Sequence, residues 1–240
     1  LCYDNWYNRV WLFGGYDGST YYNDLWYFDL DTKEWIKVQD NINSDNTQIP
    51  APRANMDIEF VQGYIYLIGG STDIESFNDF WRYDIANNRW EKIQLIDKIP
   101  FGTTYKLFRY RDRLWLFNGS VKGIYRYFNE ASQFVLQPIY EELNDKLKEL
   151  QKNNVFLEFP IQIQCMEEVD RLYIWSGNLT SLNYLIIDLR DKRVIGSNFT
   201  NPVIPKNRIF WLTPSYYIVA DTKTEAYLGF YNVSEFSTLT

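Results

Sequence analysis

The sequence contains no histidine. Histidine is the usual general acid and base near neutral pH and the commonest side-chain ligand of zinc and copper. Its absence excludes Ser-His-Asp triads, Cys-His pairs and His-ligated metal sites among these residues, and we predict neither a metal site nor a cofactor. A carboxylate pair could still hydrolyse a glycosidic bond, but no Asp or Glu stands out from the turn and surface pattern. We therefore expect a protein that is not an enzyme.

Cysteine is also scarce, with only Cys2 and Cys165 in 240 residues. A disulfide framework would use more cysteines, so we expect two small buried thiols in a reducing compartment. This predicts a cytoplasmic protein, with the nucleus as a second location. Four Asn-x-Ser/Thr triplets, at Asn118, Asn178, Asn198 and Asn232, favour the opposite, secreted interpretation. Such triplets also arise by chance in a chain this rich in Asn, Ser and Thr.

Positive charge is in deficit, with 24 Lys and Arg against 31 Asp and Glu, a net charge of -7 and a pI near 4.8. A nucleic-acid groove needs clustered cations, so we expect no nucleic-acid partner and favour basic protein surfaces. No apolar run approaches the roughly 20 residues that cross a bilayer. The chain opens with Leu1 rather than Met, and its first residues lack the order of a signal peptide. We expect no membrane insertion.

The sequence does contain an internal repeat. The segments RVWLFGGYDGSTYYNDLWYFDLDTKEW, from residue 9, and GYIYLIGGSTDIESFNDFWRYDIANNRW, from residue 63, share several marked positions at one offset of 55 residues. The matched positions are Gly14-Gly15 with Gly69-Gly70, Asn23-Asp24 with Asn78-Asp79, Trp26 with Trp81, Asp29 with Asp84, and Trp35 with Trp90. One fixed offset across so many positions indicates a structural unit that occurs more than once.

Each copy has the periodicity of short strands. Apolar runs such as RVWLFGG end in glycine, and runs such as NDLWYFDL and EWIKV alternate apolar with polar residues across tight polar turns. Aromatic residues make up 19% of the chain and suit half-buried pleated surfaces. With the run RANMDIEFV ahead of the second glycine pair, each unit contains four antiparallel strands.

The glycine pair after an apolar strand, the Asn-Asp-x-Trp step and the second Trp nine residues later resemble the kelch repeat. That resemblance implies an all-β fold, a kelch-like β-propeller of four-stranded antiparallel blades. It also implies a protein-interaction module, most often a substrate-recruiting or regulatory subunit of a ubiquitin ligase, or alternatively a scaffold in cell polarity or signalling. No BTB, BACK or F-box-like segment is visible, and the copper site of galactose oxidase, which has kelch-like blades, needs the missing imidazoles.

Later copies are degenerate. In the third, Asn118-Gly119 replaces the glycine pair, and Tyr125 and Phe134 replace the two tryptophans. In the fourth, Ser176-Gly177, Leu185 and Val194 hold these positions, and three further strands follow without the motif. We place blades at about 1–38, 53–95, 103–137, 158–196 and 207–236, in one domain over residues 1–240. Because kelch propellers usually have six or seven blades, we expect part of a larger ring.

One segment departs from the β pattern. Residues 138–154 place Tyr140, Leu143, Leu147 and Leu150 at three- and four-residue spacings, which predicts an inserted helix. A purely structural alternative for the protein's role is that this helix, rather than any loop, docks the chain into a larger assembly.

The motif residues have a structural explanation. Neither glycine pair is followed by a helix that carries Lys-Ser/Thr, so the pairs do not form a phosphate-binding loop. We expect Gly14, Gly15, Gly69 and Gly70 to adopt positive φ where packing toward the propeller centre leaves no room for a Cβ. Trp26, Trp35, Trp81 and Trp90 could form a sugar-binding platform, but their repetition favours packing between blades. Asp29 and Asp84 should accept turn N–H groups.

The variable loops between the second and third strands remain for function, because loops on a rigid scaffold usually carry binding. Tyrosines beside carboxylates suit a basic protein patch or peptide. The predicted partner-binding residues are Tyr16, Asp17, Tyr21, Tyr22, Asp73, Glu75, Phe77 and Lys122. We expect a protein partner within a multi-subunit complex. The alternatives are a carbohydrate-active or carbohydrate-binding face and loops that are merely solvated.

Overall fold

The computed structural model describes residues 1–40, 48–96, 105–118, 123–136, 161–177, 182–198, 208–212, 216–221 and 228–232. The chain divides into two compact units, Leu1–Leu136 and Gln137–Thr240. Lys122 and the helix predicted over residues 138–154 lie outside the described residues.

Unit 1 contains three four-stranded antiparallel sheets, each with its strands in sequence order. Blade 1 consists of β1 (Cys2–Asp4), β2 (Arg9–Tyr16), β3 (Tyr21–Asp29) and β4 (Glu34–Gln39). Blade 2 consists of β5 (Asp57–Val61), β6 (Tyr64–Ile68), β7 (Phe80–Asp84) and β8 (Arg89–Ile93). Blade 3 consists of β9 (Tyr105–Tyr110), β10 (Arg113–Asn118), β11 (Gly123–Phe128) and β12 (Gln133–Leu136).

Unit 2 contains a fourth sheet of the same kind and a three-stranded sheet. The fourth blade consists of β13 (Ile161–Met166), β14 (Arg171–Gly177), β15 (Leu182–Asp188) and β16 (Arg193–Asn198). The last sheet consists of β17 (Arg208–Leu212), β18 (Tyr216–Asp221) and β19 (Leu228–Asn232). The predicted fold class, all-β with four-stranded antiparallel blades of the propeller type, is confirmed.

Helical structure in the described ranges is limited to two short 3-10 turns, Asn129–Ala131 and Glu167–Val169. No helix in this part of the chain is long and apolar enough to cross a membrane.

The tight turns between the third and fourth strands depend on an aspartate. Oδ1 of Asp29 accepts the N–H groups of Asp31 and Thr32 at 3.0 Å each. Asp84 accepts the N–H of Asn87 at 3.1 Å in the second copy. The predicted turn role of both aspartates is confirmed.

Successive side chains of a strand point to opposite faces of the sheet, and the blades of unit 1 use both faces. Blade 1 and blade 2 bury one shared core, to which blade 1 contributes Trp11, Phe13 and Leu25 and blade 2 contributes Phe60, Ile65, Leu67, Trp81, Tyr83 and Trp90. The opposite face of blade 2 packs on blade 3 through Tyr66, Ile68 and Phe80 against Leu107, Leu114, Leu116, Tyr127 and Phe134. Each blade therefore buries its apolar residues against its neighbours.

The second aromatic position of the repeat reaches back to the preceding blade. The Trp90 ring lies 5.4 Å from that of Phe13, and the Phe134 ring lies 5.2 Å from that of Phe80. These equal roles confirm that Phe134 in the third copy corresponds to Trp90 in the second.

The predicted packing of the repeated tryptophans between blades is wrong for Trp35. The predicted packing between blades is confirmed for Trp81 and Trp90, which are 3% and 7% exposed. Trp35 is 51% exposed, and Trp26 is only half-buried. The reason is positional: these two residues lie on the face of blade 1 that points away from blade 2, and no described sheet of unit 1 covers it.

The two cysteines differ in burial. Cys2 is buried in the core between blades 1 and 2, and burial raises its thiol pKa. Cys165 is half-buried in β13. The expectation of a buried thiol is met at Cys2 and only partly at Cys165.

Candidate partner-binding surface

The loop between β2 and β3 is organised around one carboxylate. Oδ1 of Asp17 accepts the N–H groups of Ser19 and Thr20 at 2.8 Å and the Ser19 hydroxyl at 2.9 Å. Its Oδ2 accepts the hydroxyl of Tyr22 at 2.7 Å. An aspartate that bonds the backbone two and three residues ahead is a common way to fix a short turn. The loop is therefore held in shape by its own side chains.

Tyrosines connect this loop to the corresponding loop of blade 2. The rings of Tyr16 and Tyr21 stack at a centroid distance of 4.4 Å. The Tyr21 hydroxyl donates to Oδ1 of Asp73 at 2.7 Å, across 52 residues of sequence. Two loops from neighbouring blades thus form one surface.

The loop of blade 2 presents an apolar side chain at its tip. Thr72 and Glu75 close the loop, because the Thr72 N–H donates to the Glu75 carbonyl at 2.8 Å and the Glu75 N–H donates to the Thr72 hydroxyl at 3.2 Å. Ile74, between them, is 96% exposed. Together the two loops form what we call the loop patch: Tyr16, Asp17, Tyr21, Tyr22, Asp73, Ile74 and Glu75.

Sequence reasoning missed Ile74. An isolated isoleucine in a short polar loop carries no periodic signal, and only its flanking acids mark it as exposed. Ile74 adds one exposed apolar side chain to the polar residues of the loop patch.

Hydrogen bonds within the loop patch favour the charged form of Asp17. The Tyr22 hydroxyl, followed by the N–H groups of Ser19 and Thr20, lowers the pKa of Asp17 well below its ordinary value. In the reverse direction, the hydrogen bond to Asp73 raises the pKa of Tyr21 to about 12. Asp17 raises the pKa of Tyr22 in the same way. At physiological pH the patch therefore combines an ionised Asp17 with the neutral phenols of Tyr21 and Tyr22.

Phe77, predicted to contact a partner, is half-buried and contacts an arginine of the protein itself. Its ring lies 3.8 Å from the guanidinium carbon of Arg53, and its N–H donates to the Gly70 carbonyl at 2.9 Å. Lys122, the other predicted contact from a different loop, lies outside the described residues. The structure brings the remaining six predicted residues together.

Arg53 anchors the segment that joins blade 1 to blade 2. Its N–H donates to the Tyr22 carbonyl and its carbonyl accepts the Gly15 N–H, both at 3.0 Å. Its fully buried guanidinium pairs with Asp79 through two nitrogens and donates to the Gly69 carbonyl at 3.0 Å. Burial acts to raise the pKa of Asp79, but the hydrogen bonds and charge of Arg53 outweigh it and lower that pKa.

Sequence reasoning also missed the pairing of Arg53 with Asp79 and the Gly69 carbonyl, which we call the arginine clamp. Arg53 stands in a linker between prolines and a strand, where an arginine is normally solvated, and its partner is 26 residues away. No local pattern indicates the pairing.

The glycine pairs are structural, as predicted, but the crowding has a different source. A Cβ on Gly14 would lie 2.5 Å from the Tyr22 carbonyl oxygen and 2.9 Å from that of Arg53, and one on Gly70 would lie 2.8 Å from that of Ala54. Both glycines have positive φ, +52° and +97°. At Gly14 the neighbouring strand β3 and the joining segment leave no room for a side chain, and at Gly70 the joining segment alone does so. The predicted crowding is wrong for Gly15, which has no atom within 4 Å of a Cβ, and for Gly69, whose nearest such atom lies at 3.5 Å.

The Asn-Asp-x-Trp step also has a local explanation. The Trp26 indole N–H donates to Asp24 at 2.7 Å, and the Trp81 indole N–H donates to Asp79 at 2.7 Å. Asn23 is buried and donates its amide to the Pro50 carbonyl at 3.0 Å. In blade 1 the Asn, Asp and Trp of the step thus hold the loop end of the third strand, whereas in blade 2 only the Asp–Trp bond recurs and Asn78 is exposed.

Four-stranded antiparallel blades that carry a crowded glycine and an aspartate–tryptophan bond at the same loop define a kelch-type β-propeller. A family model described as the KLHDC2/KLHL20/DRC7 Kelch-repeats domain matches residues 1–138, and the chain belongs to this kelch-repeat family.

Similar proteins are found in yeast and animals. Kelch domain-containing protein 10 of Homo sapiens is 33% identical over 87 residues, 35% of this chain and 19% of that protein. Tip elongation aberrant protein 3 of Schizosaccharomyces pombe is 24% identical over 115 residues, 38% of this chain and 10% of that protein. Mei4-dependent protein 6 of the same yeast is 24% identical over 209 residues, 75% of this chain and 28% of that protein. The chain therefore spans a tenth to about a quarter of these relatives.

Membership of this family makes the chain a protein-interaction module in the general sense. Loops on such a scaffold are the usual binding elements, and the loop patch is the surface that the described residues build from the predicted positions.

Proposed function

We propose that the loop patch binds a basic segment of a protein partner and that the chain itself catalyses no reaction. The observation that supports this most directly is the Tyr21–Asp73 hydrogen bond, which joins loops of two blades into one preformed surface. A preformed surface loses less conformational freedom on binding than separate mobile loops.

The chemistry of the patch favours cations. Three tyrosine hydroxyls are already committed, those of Tyr16, Tyr21 and Tyr22, since they donate to Gly18, Asp73 and Asp17. A partner would therefore meet ring faces and carboxylate edges. An arginine can stack on the outer face of the half-exposed Tyr16 ring and pair with a carboxylate beside it.

Ile74 supplies an apolar contact within this charged surface. Stable interfaces combine apolar anchors with polar groups at the rim, and Ile74 projects between Asp73 and Glu75. A basic segment that also carries an apolar residue would use both features.

For the cellular role, we propose a substrate-recruiting or regulatory subunit of a ubiquitin ligase in the cytoplasm and the nucleus. The support is the kelch resemblance together with the protein-binding character of the family, which is an analogy at the level of fold. In this role the loop patch would hold the substrate, and other surfaces of the full-length protein would contact the ligase.

A scaffold in cell polarity is the second candidate. The relative named Tip elongation aberrant protein 3 favours it, since its name refers to tip elongation.

The test is affinity capture of the full-length protein with quantitative mass spectrometry. The triple variant Tyr16→Ala, Asp73→Asn, Ile74→Ser should lose the substrate by at least about tenfold, since one interface hot spot is worth about 2 kcal/mol. It should retain ligase subunits. Tyr7→Ala is the matched control, because Tyr7 is also about half-exposed but lies in the β1–β2 turn. The melting temperature of each variant is measured, and capture is compared only among variants that melt at the wild-type temperature.

Unchanged capture by the triple variant would exclude the loop patch as the binding site. If wild type and variants recover no ligase subunit, the ligase role is wrong and the scaffold role gains support.

A further inference from the structure

A cleft of about 410 Å³ is lined by blade 2 at its β5–β6 turn and by blade 3 at its β9–β10 and β11–β12 turns. We call this space, which is bounded by Gln62, Arg113 and Asn129, the turn cleft. Strand β6 begins at the β5–β6 turn and ends at the loop that carries Asp73. The turn cleft and the loop patch therefore lie at opposite ends of the blades. Its volume is within the range of small-molecule sites, about 300–1,000 Å³.

The floor of the turn cleft is apolar. Four side chains that line it are between 3% and 6% exposed, those of Val61, Tyr66, Leu114 and Tyr127. The Tyr66 and Tyr127 rings meet edge to face with their centroids 5.8 Å apart. Burial raises the pKa of Tyr66 to about 12 and also raises the pKa of Tyr127, so both phenols are neutral at physiological pH. This floor suits an aliphatic or aromatic group.

The wall of the turn cleft carries an arginine whose charge is not compensated. Nε of Arg126 is buried and has no hydrogen-bond partner, while the terminal nitrogens of this side chain reach solvent. In the part of the chain that the structure describes, no acid forms an ion pair with Arg126 or with Arg113, which also lines the cleft. A partly buried cation without a counter-charge is costly. An anion on the terminal nitrogens would supply that counter-charge.

Arg82, beside the cleft, shows how another arginine between these blades is paired. Its Nε donates to Glu91 at 2.7 Å, and its guanidinium lies 4.8 Å from the centre of the Tyr64 ring. It also donates to Oδ1 of Asn129 at 2.9 Å. That bond joins blade 2 to the β11–β12 turn and fixes one wall of the cleft before any ligand binds, which lowers the entropic cost of binding.

The charges around the turn cleft favour an anion over a cation. Asp112 and Glu130 also line the cleft, but both are exposed, where water screens their charge. A cation would be repelled by Arg113 and Arg126. An anion would pair with them, although the chain as a whole has a net charge of -7.

We infer that the turn cleft binds an oxyanion, a carboxylate or a phosphate, that is carried on an apolar group. Arg126 and Arg113 pair with the charged end, and the apolar end lies on the floor between Tyr66 and Tyr127. The planar guanidinium fork matches the oxygens of carboxylates and phosphates. Two sources share this chemistry, a free small molecule and an acidic side chain of a protein. The site is separate from the loop patch and selects the opposite charge.

Calorimetric titration of the full-length protein tests the need for a negative charge. The probes are 3-phenylpropionate and phenyl phosphate, and 3-phenylpropanamide is the neutral match of the first. We expect both anions to bind and the amide to bind at least about tenfold more weakly, because charge-assisted hydrogen bonds are about twice as strong as neutral ones. Failure of both anions to bind, or equal binding of the amide, would overturn the inference.

Substitutions locate the binding. Arg126→Gln should weaken the binding of 3-phenylpropionate by at least about tenfold, as expected for loss of one partner of a charge pair, and Arg113→Gln should also weaken it. Arg89→Gln is the matched control, because it removes the same charge from an exposed arginine that pairs with Glu91 outside the cleft. Equal affinities of the three variants would refute the site. Arg113 is exposed, so its variant keeps the test valid even if Arg126→Gln does not fold.

A pair of capped peptides distinguishes the two sources. Acetyl-Phe-Glu-Leu-amide presents a carboxylate between apolar side chains, and acetyl-Phe-Gln-Leu-amide is its neutral match. Binding of the first peptide, lost in Arg126→Gln, would support the site and identify a protein segment as the ligand. Binding of the small anions alone would support the site with a free small molecule. The triple variant of the loop patch should bind every probe as the wild type does, and a loss there would overturn the inference, because it would place the probes on the loop patch.

Discussion

Arg53 is a fully buried cation whose backbone pairs with blade 1 and whose guanidinium pairs with Asp79 of blade 2. A buried ion pair contributes little compared with an apolar replacement of both partners, but removing one partner leaves a buried charge unpaired. The clamp therefore affects stability mainly through the cost of leaving one partner unpaired, and only weakly through the net attraction between Arg53 and Asp79.

Arg53→Met should lower the free energy of unfolding by about 3–5 kcal/mol, because Asp79, whose side chain is only 15% exposed, then lacks its counter-charge. Arg82→Met is the control, since Arg82 pairs with Glu91 at 2.7 Å where both side chains are about a quarter exposed, and such pairs contribute about 1 kcal/mol or less. Urea unfolding measures both. Equal losses would show that Arg53 has no special role.

Glu59 on β5 is the residue from which we expect the clearest pH effect. Burial, with a smaller contribution from the charge of Asp57, raises the pKa of Glu59 to about 8. In an unfolded chain the pKa of glutamate is about 4.3. The folded state therefore binds this proton more tightly, and the associated stability is complete below about pH 4 and is lost as the pH rises through 8.

Replacing Glu59 with Gln should flatten the fall in unfolding free energy between about pH 5 and 8, because the amide does not ionise. Urea titrations at several pH values measure this slope. Glu75→Gln, at an exposed loop position, is the control and should keep the wild-type slope. A slope that is unchanged in the Glu59 variant would contradict the raised pKa.

At the scale of the blade, the sequence predicts the repeated residues but not the contacts between residues that are far apart in sequence. The 55-residue offset identified strands, turns and the inward tryptophans of blade 2, since these follow from local sequence and from its repetition. Trp35 has the same position in the repeat as Trp90 but a different exposure, because exposure depends on which blade packs against it. Arg53 and the Tyr21–Asp73 bond join residues 26 and 52 positions apart, and no periodic pattern contains such pairs.

The interface between blades 1 and 2 should depend strongly on Trp90. Its ring contacts Phe13, and its indole N–H donates to Gln39 of blade 1 at 2.9 Å. Trp90→Ala should lower the free energy of unfolding by about 3–5 kcal/mol, as for other buried aromatic truncations. Trp90→Phe should cost less, because the third copy uses Phe134 at this position.

Trp6→Ala removes an equally large but 57% exposed side chain and serves as the control. Denaturant unfolding should rank Trp90→Ala, Trp90→Phe and Trp6→Ala in decreasing order of destabilisation. A cost for Trp6→Ala as large as for Trp90→Ala would show that the inter-blade core is not the dominant contribution.

Over the whole molecule, the net charge of -7 adds to the local charge of the loop patch. Long-range attraction of this kind accelerates association with a basic partner and is screened by salt. We expect the affinity for the captured partner to fall between about 0.1 and 1 M salt, over which the Debye length shortens from about 10 to 3 Å. Binding measured by calorimetry or interferometry tests this.

The variant Asp17→Asn, Asp73→Asn, Glu75→Gln should bind more weakly and lose most of the salt dependence. Retention of the full salt dependence would assign the electrostatic attraction to the rest of the surface.

The bond from Tyr21 to Asp73 has a consequence for how such a protein can change over evolutionary time. A propeller consists of repeated blades, but here the loop patch is divided between two of them. The β2–β3 hairpin supplies Tyr21 and the β6–β7 hairpin supplies Asp73. Deleting or transplanting one of these two repeats would separate the phenol from its carboxylate and break up the loop patch, even if every blade still folded. In the role that we propose, selection for a partner would therefore act on the first two repeats as one heritable unit.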